Sequence, residues 1–238
     1  MIKIRGLVKK FNEQVVLKDI NLEIPDGEIL VVLGQSGSGK SVFLQHLIGL
    51  LKPDQGTVEI NGTDITRLTE KQLLGLRKNM GYLFQEGALY DFMTVQENVA
   101  FPLREHTHLK PREINAKVMG ILRVVGLEEA AGKYPSQLSG GMKKRAALAR
   151  SIILDSKILF CDEPTSGLDP IKSREITDLI KNVSRQIKST TVVTSHDVNN
   201  AMRLADRLIL IDEGKIVFQG NTQELRKSAH PLVQAFLN

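Results

Sequence analysis

Apolar residues in this chain follow two different periods. Early on they alternate with polar ones: Ile2 and Ile4, Leu22 and Ile24, Val58 and Ile60. Alternation predicts half-exposed strands, and Asn61-Gly62 supplies a turn after the third. Elsewhere the apolar residues run together, as in "ILVVLG" (29–34), "KILFCDE" (157–163), "TTVVTS" (190–195) and "RLILID" (207–212). Short unbroken runs suit strands buried on both faces. "EGK" (213–215) then turns the last run into "IVFQG" as a hairpin. Between these runs the spacing becomes helical. A helix follows the first buried run over residues 39–50. Thr69 and Gln72 make a capping box ahead of Leu73, Leu74 and Leu76. Pro111 and Gly126 bracket a face made of Ile114, Val118, Ile121, Leu122 and Val125. Asp169-Pro170 opens another helix, with Ile176, Leu179, Ile180, Val183 and Ile187 on one side.

Buried strands alternating with helices predict an α/β core with a mostly parallel sheet, and the half-exposed strands add an antiparallel part. Strand signals vanish between 87 and 150, which predicts an inserted helical subdomain. One domain results. Its core and antiparallel strands occupy 1–86 and 151–221, and 222–238 forms a short helical tail broken near Pro231.

Composition narrows the class little. A chain of 238 residues, 42% hydrophobic and 25% charged, has enough apolar material for a large globular core. No apolar run is long enough to span a bilayer, and no signal segment opens the chain. The expectation is a cytosolic protein, or one held at a membrane by partners. The single cysteine, Cys161, excludes an internal disulfide and reads as a small buried hydrophobe. A net charge of +5 suits a solvated basic face better than a nucleic-acid surface. His106 and His108 stand two apart in "EHTHLK" without an evident third ligand, so a solvated loop is expected there.

The chemistry concentrates after the buried strands. "GQSGSGKS" spans Gly34, Gln35, Ser36, Gly37, Ser38, Gly39, Lys40 and Ser41. It follows a strand and opens a helix, the context that G-x-x-x-x-G-K-[ST] requires. Glycines let backbone N–H groups turn inward around phosphate oxygens, and the helix N-terminus adds positive partial charge. In this motif Lys40 reaches the terminal phosphates and Ser41 is a Mg²⁺ ligand. Asp162 ends a second buried strand and can hold the Mg²⁺ shell. Glu163 beside it can polarise an attacking water.

The motif order resembles that of ATP-binding cassette (ABC) ATPases. A phosphate loop is followed by "LSGGMKKRAALAR", then "ILFCDEPTSGLD", then a lone histidine in "TSHD". The resemblance covers nearly the whole chain. It implies a P-loop NTPase fold and ATP hydrolysis with Mg²⁺, in a head-to-tail dimer of two copies. Ser139, Gly140 and Gly141 would then contact the γ-phosphate held by the other copy. His196 resembles the switch histidine at that phosphate, and Asp169 the aspartate of the D-loop, although it is also a plain N-cap. Phe11 resembles the aromatic that stacks on adenine, with Val16 beside it; core packing is the rival role for Phe11. Gln85 resembles the glutamine that contacts Mg²⁺ and begins the helical subdomain.

"FQEGALYDFMTVQENVAF" (84–101) is unusually apolar. In ABC transporters the surface after that glutamine receives a helix of the membrane permease. By this resemblance Gly87 to Met93 would form the docking groove, with Leu89, Tyr90, Phe92 and Met93 lining it. Val95, Val99 and Phe101 would be core. The same stretch, with LSGGM, is similar to the ATPases of Mla-type, MCE-associated lipid transporters. Some of these carry a longer C-terminal extension, whereas this chain ends soon after "QAFLN". The resemblance implies a permease, an MCE-type protein and a STAS-like subunit as partners, no nucleic acid, and a peripheral position on the cytoplasmic side of the inner membrane. Rival expectations are the ATPase of an amino-acid or metal importer, or a non-transport ABC ATPase. The latter would carry long coiled-coil or zinc-binding insertions, whereas the insertion here is short and without sustained heptads and the chain has one cysteine.

Overall fold

The computed structural model describes residues 1–237, so Asn238 at the end of the expected tail lies outside them. β1 (Ile2–Phe11) and β2 (Gln14–Ile24) pair antiparallel, and β3 (Ile29–Leu33) follows. Next come α1 (Lys40–Leu47), β4 (Gln55–Ile60), the two-residue β5 (Thr63–Asp64), α2 (Glu70–Arg77) and β6 (Met80–Leu83). Helices α3 (Val95–His106), α4 (Pro111–Val124) and α5 (Gly140–Ile152) stand in a row before β7 (Ile158–Asp162). The chain continues through α6 (Pro170–Ile187), β8 (Thr190–Ser195), α7 (Val198–Leu204), β9 (Arg207–Asp212), β10 (Lys215–Gly220), α8 (Thr222–Lys227) and α9 (Pro231–Leu237).

Two sheets form. One is antiparallel, in the order β2-β1-β4-β5; the other runs β10-β9-β3-β8-β7-β6. In the second, every pairing is parallel except that of β10 with β9. β3, β7 and β8 are buried at every position, which explains their unbroken apolar runs. Alternate residues of one strand serve different cores. Leu30 and Val32 face the antiparallel sheet, packing with Ile2, Ile4, Phe43 and Phe160. Val31 and Leu33 face the opposite way, towards Leu148, Ile152, Ile176 and Ile180. α3, α4 and α5 bury a third cluster, including Val95, Val99, Val118 and Leu122. Phe160 is fully buried between neighbours on every side, so its truncation to alanine would cost about 3–5 kcal/mol.

Local chemistry sets the element ends. The Thr69 N–H and hydroxyl both donate to Gln72 Oε1 as α2 starts. Thr94 and Glu97 make a second capping box ahead of α3. Asp169 accepts from the N–H groups of Ile171 at 3.1 Å and Lys172 at 3.0 Å, and Pro170 takes the first helical position of α6. Glu213 and Gly214 both adopt positive φ between β9 and β10, the geometry of a tight hairpin turn. α8 and α9 are separated just before Pro231, and Leu225, Val233 and Phe236 pack back onto the second core.

Candidate functional site

Sheet order gathers the chemistry. β3, β8, β7 and β6 are consecutive neighbours, so the loops leaving their carboxyl ends lie side by side. Those loops carry residues 34–41, His196, the Asp162–Glu163 pair and Gln85. Open α/β sheets place ligands at such a crevice.

The 34–41 loop is shaped by close approach. A Cβ on Gly34 would lie 2.4 Å from Ser38 Oγ and 2.5 Å from the Ile211 carbonyl oxygen, so only glycine fits. Gly39 has φ 101° and leads directly into α1. The backbone N–H groups of Gly37, Gly39, Lys40 and Ser41 find no acceptor among the described residues, and Ser38 Oγ is buried without a partner. Gln35, Ser36 and Gly37 form the exposed rim. Lys40 is buried; its Nζ donates to the carbonyls of Gly34 at 2.8 Å and Gln35 at 3.0 Å. Converging N–H donors, an orphaned hydroxyl and one inward cation make a cradle for a polyanion.

The acidic pair faces this cradle. Asp162 Oδ1 accepts from Ser41 Oγ at 2.9 Å and from Thr194 Oγ1 at 2.6 Å. Asp162 Oδ2 accepts from Tyr82 Oη at 3.4 Å. Burial first, then the neighbouring Asp162, raises the Tyr82 pKa, so the phenol keeps its proton and remains a donor. Glu163 sits between two nitrogens. Its Oε1 lies 3.2 Å from Lys40 Nζ, and its Oε2 lies 2.7 Å from His196 Nδ1. Among the described residues no group of three or more His, Cys, Asp or Glu side chains could hold a metal. The available donors are the hard oxygens of Ser41 and Asp162. That set fits Mg²⁺ completed by phosphate oxygens, because Mg²⁺ is commonly held by one or two carboxylates plus substrate.

Other expected residues lie further out. Phe11 is 43% exposed, so core packing does not claim its ring. Lys9 Nζ lies 5.4 Å from that ring's centre. Val16 is half-buried and packs on the first core beneath Gly39. Gln85 is exposed, and its side chain makes no hydrogen bond among the described residues; its carbonyl accepts from Lys144 Nζ. Burial lowers the Lys144 pKa, although Glu86 and Glu163 oppose the shift. Ser139 caps α5, accepting from the Met142 N–H at 3.4 Å. Side chains added at Gly140 and Gly141 would meet Leu168 and Lys172, flanking Asp169, and not the 34–41 loop. Asp169 itself is exposed, and its pKa is lowered chiefly by the Lys172 N–H.

The apolar stretch needs correction at two places. Leu89, expected to line a groove, is half-buried between the second and third cores. Phe101, expected in the core, is half-buried and lines a groove of about 780 Å³ with Leu74, Phe84 and Tyr90. The reason is backbone geometry. Ala88 adopts φ 49°, which sends Leu89 inward and Tyr90 outward against Phe101, 5.1 Å away. Arg150 holds that kink by donating to the carbonyls of Gly87 at 2.9 Å and Ala88 at 2.8 Å. Phe92 stands clear at 75% exposure. Lys71, Lys78 and His106 make the groove's rim basic, and no acidic residue lines it. Leu74 and Phe84 were not foreseen. For Leu74 a signal was present: Leu73 is buried, and adjacent helical residues cannot share its face.

A model of the ABC transporter family matches residues 17–166. The chain belongs to that family. Its cassette is 32% identical to an ATP-binding cassette solved as a dimer in a post-hydrolysis state with ADP and Pi. That superposition has a TM-score of 0.85 and covers 93% of this chain and 98% of the other. The ABC cassette fold and the ATPase activity expected from the motifs are therefore those of this chain. A probable ribonucleotide transport ATP-binding protein of Mycobacterium leprae is 45% identical over all of this chain and 68% of its own length. The intermembrane phospholipid transport ATP-binding protein MlaF of Haemophilus influenzae is 41% identical over all of this chain and 90% of its own.

Proposed function

We propose that this cassette is the ATP-hydrolysing subunit of a phospholipid-type transporter, acting as a head-to-tail pair of copies. The observation that supports the chemistry is Glu163, poised between Lys40 and His196 at the mouth of the phosphate cradle. The ATP phosphates take the free N–H groups of Gly37, Gly39, Lys40 and Ser41, with Gln35 and Ser36 on the rim. Phe11 stacks the adenine, with Val16 below. Lys40 exchanges its carbonyl partners for phosphate oxygens, which releases Glu163 Oε1. That carboxylate then accepts a proton from the attacking water, while His196 stays on Oε2 and faces the γ-phosphate. Ser41 and Asp162, together with Gln85, would hold Mg²⁺, which would supply charge neutralisation at the phosphates. Ser139, Gly140 and Gly141 do not face their own chain's cradle, so a second copy supplies them together with Asp169.

The transported class rests on the phospholipid-transport relative, because the chain spans nine-tenths of that protein. It spans about two thirds of the mycobacterial relative, whose name points instead to ribonucleotides. No helix among the described residues is long and apolar enough to cross a membrane. We place the subunit on the cytoplasmic side of the inner membrane, with a permease helix in the Leu74–Phe84–Tyr90–Phe101 groove. An MCE-type protein and a STAS-like subunit complete the assembly. Purification of the tagged chain from detergent-solubilised membranes tests this. Co-purifying permease and MCE-type protein with bound phospholipid is the expected result. A complex with a solute-binding protein, stimulated by an amino acid, nucleotide or metal ion instead, would overturn the lipid assignment.

A further inference from the structure

Thr194 lies wholly inside β8, with no exposed surface. β8 runs beside β7 in a register that sets Thr194 opposite Asp162. Its hydroxyl uses both of its capacities on the acidic pair. Oγ1 donates to Asp162 Oδ1 at 2.6 Å and accepts from the Glu163 N–H at 2.9 Å. That N–H belongs to a residue with φ 45°, a left-handed conformation uncommon for a side chain this long. Such backbone persists only where the surroundings hold it. A valine would fill the same volume. It would leave the Glu163 N–H buried and unpaired and would take the shortest donor from Asp162. Thr194 opens "TSHD", where the family resemblance gives a role to His196 alone.

We propose that Thr194 is a positioning residue for hydrolysis: one hydroxyl ties the Asp162 carboxylate to the Glu163 backbone, so the two acids hold one fixed relation. The inference rests on the assignment of Asp162 and Glu163 to ATP hydrolysis given above. Removing an oriented partner of this kind commonly lowers metal affinity or activity about 10- to 100-fold.

The test uses the full chain with Thr194→Val, Thr194→Ser and Glu163→Gln. Four quantities are measured: kcat, KM for ATP, melting temperature, and Mn²⁺ affinity with ADP from the EPR signal of free Mn²⁺. Thr194→Val should lower kcat about 10- to 100-fold and weaken Mn²⁺ binding, with KM for ATP moving far less. Thr194→Ser keeps the oxygen and should restore most of both. Wild-type kcat and Mn²⁺ affinity in the valine variant would overturn the proposal, as would equal losses in valine and serine variants. If the valine variant does not fold, Thr194→Ala replaces it; failure of both assigns the hydroxyl to stability alone and also overturns the proposal. Glu163→Gln separates the two claims. Normal hydrolysis in that variant would sink the assignment of Glu163 itself, whereas a silent Glu163→Gln beside a normal Thr194→Val would sink only the role of Thr194.

Discussion

α1 and α5 both begin beside glycines, and both offer free backbone N–H groups, yet they are furnished very differently. The start of α1 is lined by a buried lysine, a buried glutamate and a strand-end aspartate, all in mutual contact or one residue apart. The start of α5 has Ser139 and Gly140 exposed, and its only hydroxyl is already engaged with its own Met142. No charged side chain of the described residues is hydrogen-bonded to it. A helix N-terminus attracts anions by itself, but modestly and with salt screening. On the proposed function, one start captures the nucleotide and the other completes a site built elsewhere. Variants at the two starts should therefore fail in different ways.

Glu163→Gln is the harshest probe. It keeps size and one acceptor but cannot take a proton, so hydrolysis should slow roughly 100- to 1,000-fold, as when one aligned transition-state group is lost. ATP should still bind. Gel filtration with Mg-ATP should then show a dimer, and a monomer with bound nucleotide would argue against the shared site. Next in size is the contrast between starts. Lys40→Ala removes the charged donor, worth about 1.5–3 kcal/mol, so ATP affinity should drop about tenfold or more. Ser139→Arg should leave affinity near normal and stop turnover. In a verified mixed dimer of these two variants, one composite site carries both lesions and the other neither. Partial return of activity is expected; wild-type ATP affinity in Lys40→Ala, or lost affinity in Ser139→Arg, would break the contrast.

A second contrast separates core from groove within the apolar stretch. Leu89→Ser places a hydroxyl where two cores meet, and should destabilise the chain by about 2–4 kcal/mol, read as a lower melting temperature. Phe84→Ser with Tyr90→Ser should spare the melting temperature and weaken co-purification with the permease, about tenfold or more per fully buried ring. The opposite pattern would return the groove to Leu89.

The smallest effect concerns His46, buried on α1, whose Nδ1 donates to the Val42 carbonyl at 2.7 Å while Nε2 has no partner. Burial lowers its pKa below the ordinary value, outweighing the Val42 bond; Lys9 lowers it further and Asp54 opposes. The unfolded chain therefore takes up this proton first. Stability from His46 is full above about pH 6.5 and declines as pH falls below that value. His46→Asn keeps a donor for Val42 and removes the titration. Its melting temperature should fall less than the wild type's between pH 7.5 and 5.5, and parallel curves would refute the assignment.

Much of this was legible in the chain. Unbroken apolar runs marked the buried strands, and the glycine-lysine-serine loop marked the cradle, because both depend on neighbours in sequence. What stayed hidden depends on register and on backbone sign. Thr194 looks like one more β-branched strand residue until β7 is placed beside it. Leu89 and Phe101 exchange roles because Ala88 takes a positive φ that nothing in "EGALY" announces; glycine, not alanine, is the usual bearer. Gln85 was recognisable as a motif, but its side chain direction is not a property of sequence.

α5 has one more consequence. The helix has 13 residues, so it is about 20 Å long. Ser139 stands at one end. Lys144 grips the Gln85 carbonyl midway, and Arg150 grips those of Gly87 and Ala88 near the other end. These grips fall on main chain, which has little slack, and not on flexible side-chain tips. In mechanical terms the helix is a strut pinned at three points to the wall of the groove. A tilt imposed at its Ser139 end would therefore reach the backbone beside Tyr90 through the two side chains that grip it.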